Sequence, residues 1–163
     1  MTTSSFSPPC VAPDTVIPAL RQQGYAVLDA QSFASLANVS LADLNALLPS
    51  WDDLPPDQYL KDGGRYRRRR HASFVVDGDN VSQVPQRPHW QPVQYNALHG
   101  GMERHFEPVS AALTAATAWQ QMLSWLGREA SHLKGVQPWY VEAHQFRIDP
   151  TDGIGRPTPE GAH

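Results

Sequence analysis

One cysteine, Cys10, stands in the whole chain. No intrachain disulfide can form, and a fold without staples fits a reducing compartment. Lysine is almost as scarce, with only Lys61 and Lys134; every other basic side chain is an arginine. No apolar run approaches the ~18 residues that a membrane helix requires. The first thirty residues lack the basic start and apolar stretch of a secretory leader. These absences lead to the expectation of a cytoplasmic protein with no membrane partner. The formal net charge of −3 gives no general attraction to nucleic acid, so none is expected as a partner. There is no internal repeat, no glycine loop that would cradle phosphate, and no serine or cysteine in a nucleophile motif, so no residue is assigned a catalytic role.

What the chain does have suffices for a core. It has 163 residues, 40% of them apolar, with five tryptophans. Fifteen prolines and eleven glycines make it rich in turns. A single domain over 1–163 is expected. Residues 1–13 are a Ser/Thr/Pro-rich mobile arm, 14–135 carry helices and supporting strands, and 136–163 form a closing strand and loop.

A helix is predicted from Asp14 to Gln23, capped by Asp14 and ended by Gly24. Tyr25-Ala26-Val27-Leu28 reads as a buried strand, and Ala30 to Ala37 as a short helix. Ser40-Leu41-Ala42-Asp43 opens a further helix whose Leu41, Leu44, Leu47 and Leu48 face the core. Asp52, Asp53 and Asp57 follow in a turn-rich stretch that reads as a solvated loop, since loop metal sites need a fixed spacing and a glycine bend.

Residues 65–71, Arg-Tyr-Arg-Arg-Arg-Arg-His, run into Phe74-Val75-Val76 and the turn Asp77-Gly78-Asp79-Asn80. A strand there puts Arg65, Arg67 and Arg69 on one side and Tyr66, Arg68 and Arg70 on the other. The arginines either pair with carboxylates on a sheet face or, for one of them, reach a carboxylate-bearing small molecule. Nucleic-acid binding would need a wider basic surface than the chain supplies. The proline- and aromatic-rich stretch 81–101 covers either the core or a small-molecule pocket. His89, His99 and His105 fall in no ligand spacing and are not assigned to metal. Glu103 to Arg128 is predicted as the longest helix, with Phe106, Leu113, Trp119, Leu123 and Trp125 turned inward. Trp139 to Ile148 reads as a strand with Tyr140, Glu142, His144, Phe146 and Ile148 on one face and Val141, Ala143, Gln145 and Arg147 on the other. A turn-rich loop then runs to His163.

The run His144-Gln145-Phe146-Arg147-Ile148, followed by Pro157-Thr158-Pro159-Glu160-Gly161-Ala162-His163, resembles the approach to the metal site in a bacterial branch of the iron(II)/2-oxoglutarate dioxygenases. That branch includes hydroxylases of free amino acids such as isoleucine. The resemblance implies a mainly β fold: a double-stranded β-helix, or jelly roll, braced by N-terminal helices. This chain would hold the helical front part and the first strands. It implies Fe(II) as cofactor, 2-oxoglutarate as cosubstrate, molecular oxygen, and a small-molecule substrate such as a free L-amino acid. In the family, two histidines and one carboxylate hold the iron and leave three positions open. Carried over by position, His163 is the first of those ligands; the others would lie past residue 163. The expectation is therefore a chain truncated at that histidine and inactive alone. Gln145 and Arg147 lie on the strand leading to the metal and either line the cavity or form an internal pair. The alternative function is a non-catalytic jelly-roll domain of the same ancestry that binds ligands or partners.

Overall fold

The computed structural model describes residues 9–60, 66–97 and 100–149. These form a helical layer packed on one face of a three-stranded antiparallel sheet, a mixed architecture that holds the expected N-terminal helices. The expected mainly β jelly roll is not seen among the described residues, which hold five α-helices and this one three-stranded sheet.

The helices follow from local signals. After a 3-10 turn at Pro13–Thr15, α1 spans Val16–Gln23 and ends on Gly24 at φ 82°, a backbone state open to glycine. Asp29 caps α2 (Ala30–Ala37) by accepting from the Ser32 N–H, and Ser40 caps α3 (Leu41–Asn45) by accepting from the Asp43 N–H. Two expectations need correction here. Tyr25 to Leu28 is not a buried strand; its backbone is tied by the Val11 N–H to Val27 O at 2.8 Å, and Tyr25 is exposed. The leucine helix stops at Asn45 and gives way to a 3-10 turn at Leu48–Trp51, so Leu47 enters the core while Leu41 and Leu48 remain exposed.

The expected helix over 103–128 also begins later. Residues 103–110 are extended, and α4 (Ala111–Thr114) and α5 (Thr117–Lys134) follow. Pro108 lies in a bridge to His71, outside any helix. The reason is tertiary: the His71 N–H bonds Glu107 O and the Val109 N–H bonds His71 O, so this stretch is recruited to a strand edge.

Strand β1 (Arg67–Asp77) is the centre of the sheet, with β2 (Asn80–Gln83) on one side and β3 (Trp139–Ile148) on the other. β1 and β2 form a hairpin through the predicted turn, and β3 pairs with β1 from Arg67↔Ile148 to Val76↔Trp139. The β2 side of β1 is extended by two loop segments. Pro55 and Asp57 bond Arg69 and Arg67 through their backbones, and 107–109 bond His71.

Alternation along β1 and β3 sorts two different surfaces. Ala72, Phe74, Val76, Val141 and Ala143 pack with Leu113, Trp119 and Leu123 in the apolar core between sheet and helices. The opposite face carries Arg67, Arg69, His71 and Ser73 from β1, with Glu142, His144 and Phe146 from β3. Burying roughly 0.8 kcal/mol per methylene on the helical face fixes the register, and the register then fixes which polar groups meet on the other face.

Candidate metal and ligand site

His71 and His144 are cross-strand partners, so their rings lie side by side, with centroids 4.6 Å apart. Glu142 lies two residues from His144 on the same face. His89 reaches this group from the loop after β2. Its backbone forms a two-bond ladder with Arg104, His89 N–H to Arg104 O at 2.9 Å and Arg104 N–H to His89 O at 3.0 Å. That clip aims the His89 ring at His144 (4.7 Å between centroids) and its Nδ1 at Glu142 Oε2, 3.1 Å away. His71, His89, Glu142 and His144 each offer one ligand atom, and those atoms lie within 4.8 Å of one another.

The three imidazoles are held neutral. Burial, reinforced for each by the nearby guanidinium charges, lowers His71 and His89 to about 4 and His144 to about 2. Arg69 acts on His144 most directly: its Nη2 lies 2.6 Å from His144 Nδ1. Arginine has no acceptor, so it donates, and the neutral ring must carry its own proton on Nε2. That Nε2–H faces Glu142 Oε2 at 3.8 Å.

Below the histidines lies a group of arginines. The Arg67 Nε donates to Asp57 Oδ2 at 2.8 Å, and Arg69 Nη1 approaches the same oxygen at 3.8 Å. Asp57 is buried, which corrects the reading of its stretch as a solvated loop. The Arg69 guanidinium stacks 3.9 Å from the centre of the Phe106 ring. Arg104 is 2% exposed and donates through Nη2 to Gln91 Oε1 at 2.7 Å. Desolvation lowers Arg69 to about 10 and lowers Arg104 as well. Arg67 and Arg69 are therefore inside the protein and offer no basic surface to a nucleic-acid backbone.

The donor set suits ferrous iron in kind, since neutral imidazole and carboxylate are the ligands it takes. With His144 held in its Nε2–H form by Arg69, the free donors are His71, His89 and Glu142, two imidazoles and one carboxylate. The arginines set a condition. A dication about 6 Å from one guanidinium is opposed by roughly 5 kcal/mol at an effective dielectric of about 20, so a cation here requires an anion beside it.

The sequence alone assigns none of His71, His89, Glu142, His144 and Arg104 to the site. Alternation puts Glu142 and His144 on one face, but pairing with His71 depends on a register that no motif announces. His89 and Arg104 lie in irregular chain. Gln145 and Arg147 turn to the helical layer: Gln145 Nε2 donates to Ser50 Oγ at 2.8 Å, and Arg147 Nη1 donates to the carbonyls of Trp51 and Asp52. They tie β3 to the 3-10 turn at Leu48–Trp51, on the face opposite the histidines. His163, His99 and the Pro157–Gly161 segment lie outside the described residues.

The sequence pattern of the 2OG-Fe dioxygenase family matches residues 48–163, well over half of the chain. The chain belongs to that family. Among solved structures it is similar to a BsmA homologue from Methylobium petroleophilum PM1, at 42% identity and a TM-score of 0.83. That match covers 93% of this chain and 62% of the other, so the chain spans less than two thirds of that relative. IDO from Bacillus thuringiensis shares the fold, with a TM-score of 0.63 at 12% identity over 84% of this chain and 57% of the other. A search of curated proteins finds no match.

Proposed function

We propose that the full-length protein hydroxylates a small molecule, in a reaction that consumes molecular oxygen and 2-oxoglutarate and depends on Fe(II), and that its substrate is a free L-amino acid or a close analogue. The observation that carries this reading is a cluster of three histidines and a carboxylate, His71 and His89 buried and His144 and Glu142 partly exposed, on one face of a sheet in a chain of this family. Bound iron supplies the activation of oxygen, which no side chain provides. His163 is proposed as one ligand, by its place in the Pro-Glu-Gly-Ala-His segment. His71, His89 and Glu142 are the donors that the described residues bring within reach of a metal.

The remaining work falls to the chain itself. The β1–β3 face holds reactants against a rigid floor, because its other side is the apolar core. Arg69 fixes the His144 ring and its tautomer. Phe106 and Phe146 keep water from the arginines and give the site a low-dielectric wall.

The test is succinate formation by the full-length protein. Release that requires added Fe(II), oxoglutarate and oxygen, and that rises when a panel of L-amino acids is supplied, is the expected result. Absence of any iron-dependent oxoglutarate turnover would leave the alternative, a binding domain of the same ancestry.

A further inference from the structure

We propose that Arg69 and Arg104 bind the carboxylate of the primary substrate. The proposal rests on the dioxygenase reading above and adds to it a recognition element. Arg104 is 2% exposed, yet among the described residues no carboxylate lies within 4.0 Å of it; its side-chain partner is the neutral Gln91. Asp57 is committed to Arg67 at 2.8 Å and gives Arg69 only a 3.8 Å contact. The other close partner of Arg69 is His144, a neutral ring. Three guanidinium groups thus share two carboxylates, Asp57 and Glu142, and one positive charge is left over. A buried charge without its counterion is costly, and proteins keep such groups where a ligand completes them.

The donors available match a carboxylate. Arg69 Nε, Arg104 Nε and Arg67 Nη2 are buried N–H groups without a hydrogen-bond partner. A planar guanidinium edge takes a planar carboxylate in parallel hydrogen bonds. In the metal-free protein the surplus is one unit, which one carboxylate cancels. Stacking of Arg69 on Phe106 holds its plane in place before a ligand arrives. Access lies beside Glu142 and His144, whose side chains are 36% and 26% exposed. Gln91 Oε1 also accepts from Asn96 Nδ2 at 2.9 Å, so it keeps a donor if Arg104 is removed.

The experiment uses metal-free full-length protein and follows its unfolding midpoint. The probes are proteinogenic L-amino acids and straight-chain monocarboxylates, each paired with its primary amide. At least one carboxylate is expected to raise the midpoint while its amide does not. Arg69→Met and Arg104→Met are expected to abolish that rise, and Arg104→Met to leave the rise produced by oxoglutarate intact. Without ligand, Arg104→Met should unfold at the same temperature as the parent or a higher one, which a purely structural arginine would not allow. If Arg104→Met does not fold, Arg104→Lys serves: it keeps the charge but loses the fork, and calorimetry should show carboxylate binding about tenfold weaker. The proposal is overturned if no carboxylate shifts the midpoint, if amides act equally, if Arg104→Met cancels the oxoglutarate shift instead, or if Arg104→Lys binds as tightly as the parent. A carboxylate shift without succinate release would keep this site and remove the oxygenase reading. Succinate release without the shift would do the reverse.

Discussion

The histidines make stability depend on pH in a direction that can be worked out. In the unfolded chain a histidine titrates near 6.5, whereas in the folded protein His71 and His89 do so at about 4 and His144 at about 2. Between those values the unfolded state takes up protons that the native state refuses. Stability is therefore full above about pH 7 and falls as pH drops through 6.5 toward 4, with His144 extending the fall below that. Each histidine contributes a slope of up to about 1.4 kcal/mol per pH unit within its window. Urea midpoints measured from pH 7.5 down to 5 should fall steadily, and His71→Gln should make the fall shallower. A flat profile in the parent protein would mean that these rings are solvated.

Among the elements, α5 lies close against β1 at Gly127. A Cβ placed on Gly127 would lie 2.5 Å from Val76 Cγ1, so the helix can approach the strand only because that position has no side chain. Gly127→Ala gains helix propensity of about 1 kcal/mol but must push apart a close contact, which typically costs about 1–3 kcal/mol. Net destabilisation is expected, and adding Val76→Ala should recover part of it. A double-mutant cycle of denaturation free energies checks the coupling; additive effects would place the helix elsewhere.

The same elements show what sequence could reveal. Ala30–Ala37, the arginine strand with its Asp-Gly turn, and Trp139–Ile148 were all legible, because each has a cap, a turn or an alternating pattern of its own. The segment 103–110 was misread as helix because its apolar residues kept a helical spacing, while backbone bonds to His71 pulled it straight. None of the residues that meet at the site is assigned to it from sequence. One strand displayed Glu142 and His144, but their partners come from β1 and from a loop clip 15 residues apart in sequence, His89 with Arg104, and that association is purely tertiary.

For the whole molecule, the governing feature is that β3 pairs with β1 along one edge, while its other edge has no strand partner among the described residues. Ten residues of strand with open N–H and C=O groups invite pairing with another chain. The chain is expected to associate with itself through this edge. Sedimentation velocity checks this, and a monodisperse monomer would show that edge to be covered. No described helix is long and apolar enough to cross a membrane.

The alternation along β1 has a consequence for how this protein can change. Odd-numbered positions from 67 to 73 face the histidine side of the sheet and even-numbered ones from 72 to 76 face the apolar core, so the two sets can be altered almost independently. A lineage, or an engineer randomising only 67 and 69 while keeping His71, Glu142 and His144, can vary that face without having to reinvent the architecture each time.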